Sequence, residues 1–128
     1  MNLAAILLFG IWLGFVMMIM FGWVMKTMDK IQYQKAVESK KVLYLIVYRD
    51  VFKRIASLEK TTEHRDKTKY WSKRLLNKEY KFIRFSNGYG NNTRPYLITK
   101  YKGYEVNDLK NRYELPIDKI LELGNYNE

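Results

Sequence analysis

N-L-A-A-I-L-L-F-G-I-W-L-G-F-V-M-M-I-M-F-G-W-V-M, Asn2 to Met25, is an unbroken run of 24 residues without a charged side chain. At a rise of about 1.5 Å per residue, a helix of this length reaches roughly 36 Å, enough to cross a hydrocarbon core of about 30 Å with some tilt. A cleaved signal peptide needs a basic start, a shorter apolar run and an A-x-A-like cleavage site. No Lys or Arg precedes Lys26, and the exit Phe21-Gly22-Trp23-Val24-Met25-Lys26 offers no such site. A small soluble domain has no need of so long a core helix. Residues 1–25 are therefore predicted to be a retained, single-pass transmembrane anchor.

Charge sets the direction of the anchor. Lys26, Lys30, Lys35, Lys40 and Lys41 follow it, against Asp29 and Glu38. Cationic flanks stay on the cytoplasmic side. The expected topology has the amino terminus outside and the following domain on the cytoplasmic, or matrix-equivalent, side. Trp23 falls at headgroup level near the basic exit, and Trp12 falls mid-span. Gly10 and Gly14 share one helix face, the G-x-x-x-G spacing that lets two backbones approach. They are candidate helix-packing positions, for a homo-oligomer or a partner's helix, although glycine is common in membrane spans for no such reason. Met17, Met18, Met20 and Met25 read as adaptable apolar filler rather than as a soft-metal site, because no His or Cys is near.

The chain contains no Cys, which excludes a disulfide framework, a thiolate zinc site and a cysteine nucleophile. All charge lies beyond residue 25. Residues 26–102 hold 20 Lys or Arg against 7 Asp or Glu, and residues 103–128 hold 3 against 6. A basic block beside a membrane suits anionic lipid headgroups or nucleic acid. The plainer reading is a solvated surface that fixes topology.

The fold class expected is α+β: the transmembrane helix, a basic juxtamembrane helix over 26–41, and a small, mostly helical basic domain over 42–128 with one β-hairpin. Tyr44, Tyr48, Val51, Phe52, Ile55 and Leu58 recur at helical spacing, which predicts a helix over 42–60, although Val42–Tyr48 is rich in strand formers. Residues 59–68 are polar and read as a turn. Residues 69–78 read as a second helix. Tyr80–Phe85 and Tyr96–Tyr101 read as two strands around a segment dense in Gly, Asn and Pro. Helices are expected over 106–113 and 116–123, with Pro116 in the first turn of the latter and Gly124 at its end.

Catalytic signatures are scarce. His64 is the only histidine and sits among charged neighbours that form no ligand pattern, so it reads as a solvated turn residue. Phosphate-loop, nucleophile-elbow and H-E-x-x-H motifs are missing from the sequence. No enzyme activity, catalytic residue, cofactor or metal is therefore expected. Gly88-Tyr89-Gly90 could cradle a phosphate with Arg94 as cation, though most glycine-rich turns have no such role. Asn91-Asn92-Thr93 matches a glycosylation acceptor on what is expected to be the wrong side of the membrane for modification.

The densest basic segment runs from Arg65 to Arg84. Arg65, Lys67, Lys69, Lys73, Arg74, Lys78, Lys81 and Arg84 face only Asp66 and Glu79, and Tyr70, Trp71, Tyr80 and Phe82 are interleaved. Cations that neutralise phosphates beside aromatics that stack on bases are the equipment of single-strand binders. The candidate polyanion-binding residues are Arg65, Lys69, Trp71, Lys73, Arg74, Lys81, Arg84 and Arg94. The competing reading makes Trp71 and the Phe residues core and the cations their solvated back.

From Tyr101 to Gly124, Leu109, Tyr113, Leu115, Ile120 and Leu123 stand where helix-turn-helix units place apolar contacts. The segment resembles the helix-turn-helix of DNA-binding proteins, which implies two packed helices over about 20 residues. It departs from that pattern at Lys110 and Glu114. The would-be recognition helix carries Asp118 and Glu122 against Lys119 alone, an unfavourable charge beside phosphates. A packing or dimerisation element is the other reading of the pair.

Two roles from different classes fit these features. In one, the anchor tethers a basic domain that holds nucleic acid at the membrane, as a scaffold for replication or genome organisation. In the other, the chain is an accessory subunit that packs with protein partners in a membrane complex. A phage lysis or superinfection-exclusion protein is a third.

Overall fold

In the computed structural model, which describes residues 2–90 and 93–127, the apolar run and its basic exit form one continuous helix, α1 (Leu3–Glu38). Asn91 and Asn92 of the glycosylation acceptor lie outside the described residues. Asn2 starts the helix, its side-chain oxygen accepting from the Ala5 N–H at 2.9 Å as an N-cap does. Lys40, at φ 58°, ends it, and the Lys41 N–H returns to the Ala36 carbonyl at 2.8 Å. Helix α1 is long and apolar enough to span a membrane, and its most apolar window is nowhere buried within the chain. The chain divides between Gln34 and Lys35 into two compact units.

The second unit is rich in strands rather than mostly helical. Val42–Leu58 is not one helix but strand β1 (Val42–Val47) followed by helix α2 (Arg49–Ala56). V-L-Y-L-I-V is branched and aromatic throughout, and as a strand it buries Leu43, Leu45 and Val47 on one face while Tyr44 and Ile46 face out. The helical spacing was genuine only from Arg49 onward, where Phe52 and Ile55 are fully buried.

Within the predicted 59–68 turn lies strand β2 (Thr62–Asp66), whose polar sequence T-E-H-R-D carries no strand signal and which forms by pairing. Helix α3 (Lys69–Leu75) and the hairpin of β3 (Phe82–Asn87) and β4 (Tyr96–Tyr101) follow the sequence reading. The expected helices over 106–113 and 116–123 are instead strands β5 (Glu105–Asn107) and β6 (Arg112–Gly124), and the helix-turn-helix resemblance falls with them. Tyr113, Leu115 and Ile117 alternate with polar residues, the period of a strand. Two irregularities against β4 then place extra residues on β6: Ile98, Thr99 and Tyr101 face Glu122, Ile120 and Ile117. Such bulges reset the alternation to a spacing of three that imitates a helix. Pro116 faces Thr62 of β2, but on that side it is the Ile117 N–H that donates, to the Thr61 carbonyl at 2.8 Å; the Pro116 nitrogen faces the other edge, between the β5 and β4 pairings.

The sheet runs β1-β3-β4-β6-β2, with β5 also beside β6, and β1 and β3 are parallel. Leu45, Phe85 and Leu97 form one row across three strands, all fully buried, and Phe52, Ile55 and Leu75 from the helices pack against it. Gly124 pairs with Tyr96, and a Cβ there would overlap the Tyr96 ring. Gly124→Ala is expected to cost about 1–3 kcal/mol, as overpacking does, and to lower the thermal midpoint followed by near-ultraviolet circular dichroism.

Candidate functional site

Strand β1 ends the sheet, so its outer carbonyls have no strand partner. Two arginines cover them. From β2, Arg65 donates an Nη2 hydrogen bond to the Ile46 carbonyl at 3.0 Å, and from α3, Arg74 donates to the Tyr44 carbonyl at 2.9 Å. The first of these links the two end strands of the sheet directly.

Helix α3 assembles this edge. Thr68 caps it, its hydroxyl accepting from the Trp71 N–H at 3.3 Å, so Tyr70, Trp71 and Arg74 share the first turns. Arg65 and Arg74 both pack on the Trp71 ring, each with Cζ 4.8 Å from its centroid. The Tyr80 hydroxyl donates to the Arg74 carbonyl at 2.6 Å, and the Ser72 and Tyr113 hydroxyls bond at 2.6 Å, which fixes the helix to the rest of the sheet.

Between this edge and the carboxyl ends of β1 and β3 lies a cleft of 510 Å³. Its lining includes Arg49, Arg65, Arg74, Trp71, Tyr48, Tyr70, Tyr89 and Asn87, with no carboxylate among the described lining residues. Gly88, at φ +79°, continues the ladder by donating to the Val47 carbonyl at 3.3 Å and then turns the chain away, a backbone state that glycine takes without strain. Arg49 opens α2, where the partial positive charge of a helix start adds to its own.

Burial lowers the Arg65 pKa, and Arg74 nearby adds to that, opposed by Glu63. Among the described residues neither Arg65 nor Arg74 forms an ion pair, and the buried Arg65 Nε has no hydrogen-bond partner. These guanidiniums are thus held by carbonyl dipoles, by aromatic faces and, for Arg74, by a 3.4 Å hydrogen bond to the Tyr70 hydroxyl, and among the described residues several of their N–H donors remain for a ligand. At the rim, Tyr48, Tyr70 and Tyr89 are 83%, 62% and 82% exposed.

Of the residues singled out from sequence, Arg65, Trp71 and Arg74 come together here. Lys69, Lys73 and Lys81 are exposed and do not line the cleft. Arg84 lies over the Tyr96 ring at 4.0 Å, and Arg94 rests against Gly90 in the β3–β4 loop; neither lines the cleft. Trp71 carries two guanidiniums and positions them. Tyr48 and Arg49 are not among the sequence candidates, and Tyr89 is there only as the middle of the Gly88-Tyr89-Gly90 turn, of which Gly88 and Tyr89 line the cleft. Tyr48 and Arg49 follow directly on β1, a junction visible only once that segment is read as a strand. Gly10 and Gly14 are exposed on α1, with nothing within 4 Å of where a Cβ would stand.

His64 lies in β2, not in a turn, 4.0 Å from the Glu114 carboxylate that Arg112 and Asn107 also bind. Burial, then Arg112 and Lys60, lower its pKa, and Glu114 and Glu63 oppose them less strongly. A base whose folded pKa is depressed contributes stability that is full above its ordinary value of 6.5 and is lost as pH falls. Thermal midpoints should therefore drop on acidification from about pH 7.5 to about 5.5, and drop less in His64→Gln. Among the described residues no cluster of His, Asp or Glu is suited to a metal. No protein-family model, curated protein or solved structure matches the chain.

Proposed function

We propose that this chain is a non-enzymatic, single-pass membrane protein whose basic domain holds nucleic acid at the cytoplasmic, or matrix-equivalent, face of the membrane. The observation that carries the reading is the cleft itself: three arginines and four exposed tyrosines around Trp71, with no carboxylate among the described lining residues. Some cations elsewhere meet carboxylates in ion pairs, as Arg112 with Glu114 and Lys67 with Asp108. Among the described residues the arginines of the cleft form no ion pair with the carboxylates around them beyond Arg54 and Glu59 outside it. The buried Glu63 carboxylate acts on Arg65 without an ion pair, so a phosphate would add charge-assisted and bidentate hydrogen bonds that no carboxylate supplies. An anionic lipid could satisfy the cations alone, but exposed aromatic faces suit bases.

The test is binding of labelled oligonucleotides, single-stranded and duplex, to the full chain in zwitterionic nanodiscs across a salt series. Binding through phosphates predicts, for at least one of the two, a logarithmic salt slope of about −0.7 (single strand) to −0.9 (duplex) for each phosphate the arginines neutralise. No binding to either at low salt would falsify the reading.

A further inference from the structure

Resting on that reading, we infer that the cleft takes its nucleic acid as a single strand, with one backbone phosphate among Arg49, Arg65 and Arg74 and neighbouring bases laid on Tyr48 and Tyr89. Two features separate this from duplex binding. The first is depth. Arg65 and Arg74 are only partly exposed and are tied back to the β1 carbonyls, so a phosphate must enter to reach them. At 510 Å³ the cleft is in the range of small-ligand sites, roughly 300–1,000 Å³, a scale that suits one nucleotide rather than a duplex. Groove readers instead project a helix or ribbon into a channel about 12 Å wide, and here Arg65 and Arg74 lie in a recess while Arg49 stands exposed at its mouth.

The second feature is the rim. Tyr48 and Tyr89 are the most exposed tyrosines of the cleft, and neither is needed to hold the arginines, whose aromatic contacts are to Trp71 and Tyr70. A duplex hides its base faces in the stack, whereas an unpaired strand offers them. Arg65 and Arg74 inside, with the Tyr48 and Tyr89 rings outside, match the order of phosphate and base along such a strand. Asn87 in the lining adds an amide that can meet a base edge.

The experiment uses the full chain in phosphatidylcholine nanodiscs, with labelled oligothymidylate and a blunt duplex of equal length at the same low salt. Oligothymidylate is expected to bind at least roughly tenfold more tightly, and Tyr48→Ala and Tyr89→Ala are each expected to weaken it roughly tenfold, with duplex affinity and the unfolding midpoint unchanged. Duplex binding as tight as the single strand, or tyrosine variants that bind oligothymidylate normally, would overturn the inference and leave nucleic-acid binding standing. Absence of binding to both would overturn the inference and the underlying reading together. Phosphatidylserine vesicles added at equal phosphate should leave oligothymidylate bound; its displacement would assign the cleft to lipid headgroups and overturn both.

Discussion

Arg65→Gln combined with Arg74→Gln is expected to weaken oligonucleotide binding by about 3–6 kcal/mol, a hundredfold or more, at about 1.5–3 kcal/mol for each charged hydrogen bond removed. The salt slope should fall by about 0.7 per lost phosphate contact on a single strand. Both residues also serve the fold, because their guanidiniums cover the Ile46 and Tyr44 carbonyls. The double variant should therefore unfold at lower temperature as well. Arg49→Gln separates the two roles. Arg49 is exposed, and none of its side-chain atoms takes part in the hydrogen bonds or ion pairs described above. That variant should lose roughly tenfold in affinity at an unchanged midpoint. Normal binding in both variants would remove the arginines from the interface.

The second large effect concerns the core. Phe85 sits at the centre of the Leu45–Phe85–Leu97 row and is fully buried. Phe85→Ala is expected to cost about 3–5 kcal/mol, from lost burial and the cavity left behind. A domain of this size holds roughly 5–15 kcal/mol in total, so about a fifth or more of it would go. Urea unfolding of the detergent-solubilised chain, followed by near-ultraviolet circular dichroism, reads the change. A shift in midpoint below about 1 kcal/mol equivalent would show that the row is not the centre of the core.

What the sequence disclosed follows from where one local signal dominates. The Asn2–Met25 run is a single unbroken apolar signal, and α1 takes up all of it from Leu3 on. The β3–β4 hairpin was legible because apolar alternation and the Gly-Asn-Pro segment between agree. β1 was lost because the spacing of Tyr44 and Tyr48 with Val51, Phe52 and Ile55 joined a strand to the helix after it. β6 was lost for a different reason. Its two bulges against β4 broke the two-residue period, and Ile117, Ile120 and Leu123 then mimicked a helical face. β2 had no signal to find, since a strand of T-E-H-R-D exists only through its partner.

The site was half legible for the same reason. Arg65, Trp71 and Arg74 stand in one dense basic segment, and local composition marks them. Tyr48 and Arg49 come to the cleft through the β1–β3 pairing, a contact across about 40 residues of chain that no local pattern encodes.

Strand β6 follows in the chain every strand it pairs with, β2, β4 and β5. During synthesis those three edges must wait for residues 112–124, which are made after all of them. The domain thus matures late, and a chain cut short before Arg112 would expose unpaired β-edges to chaperones and proteases.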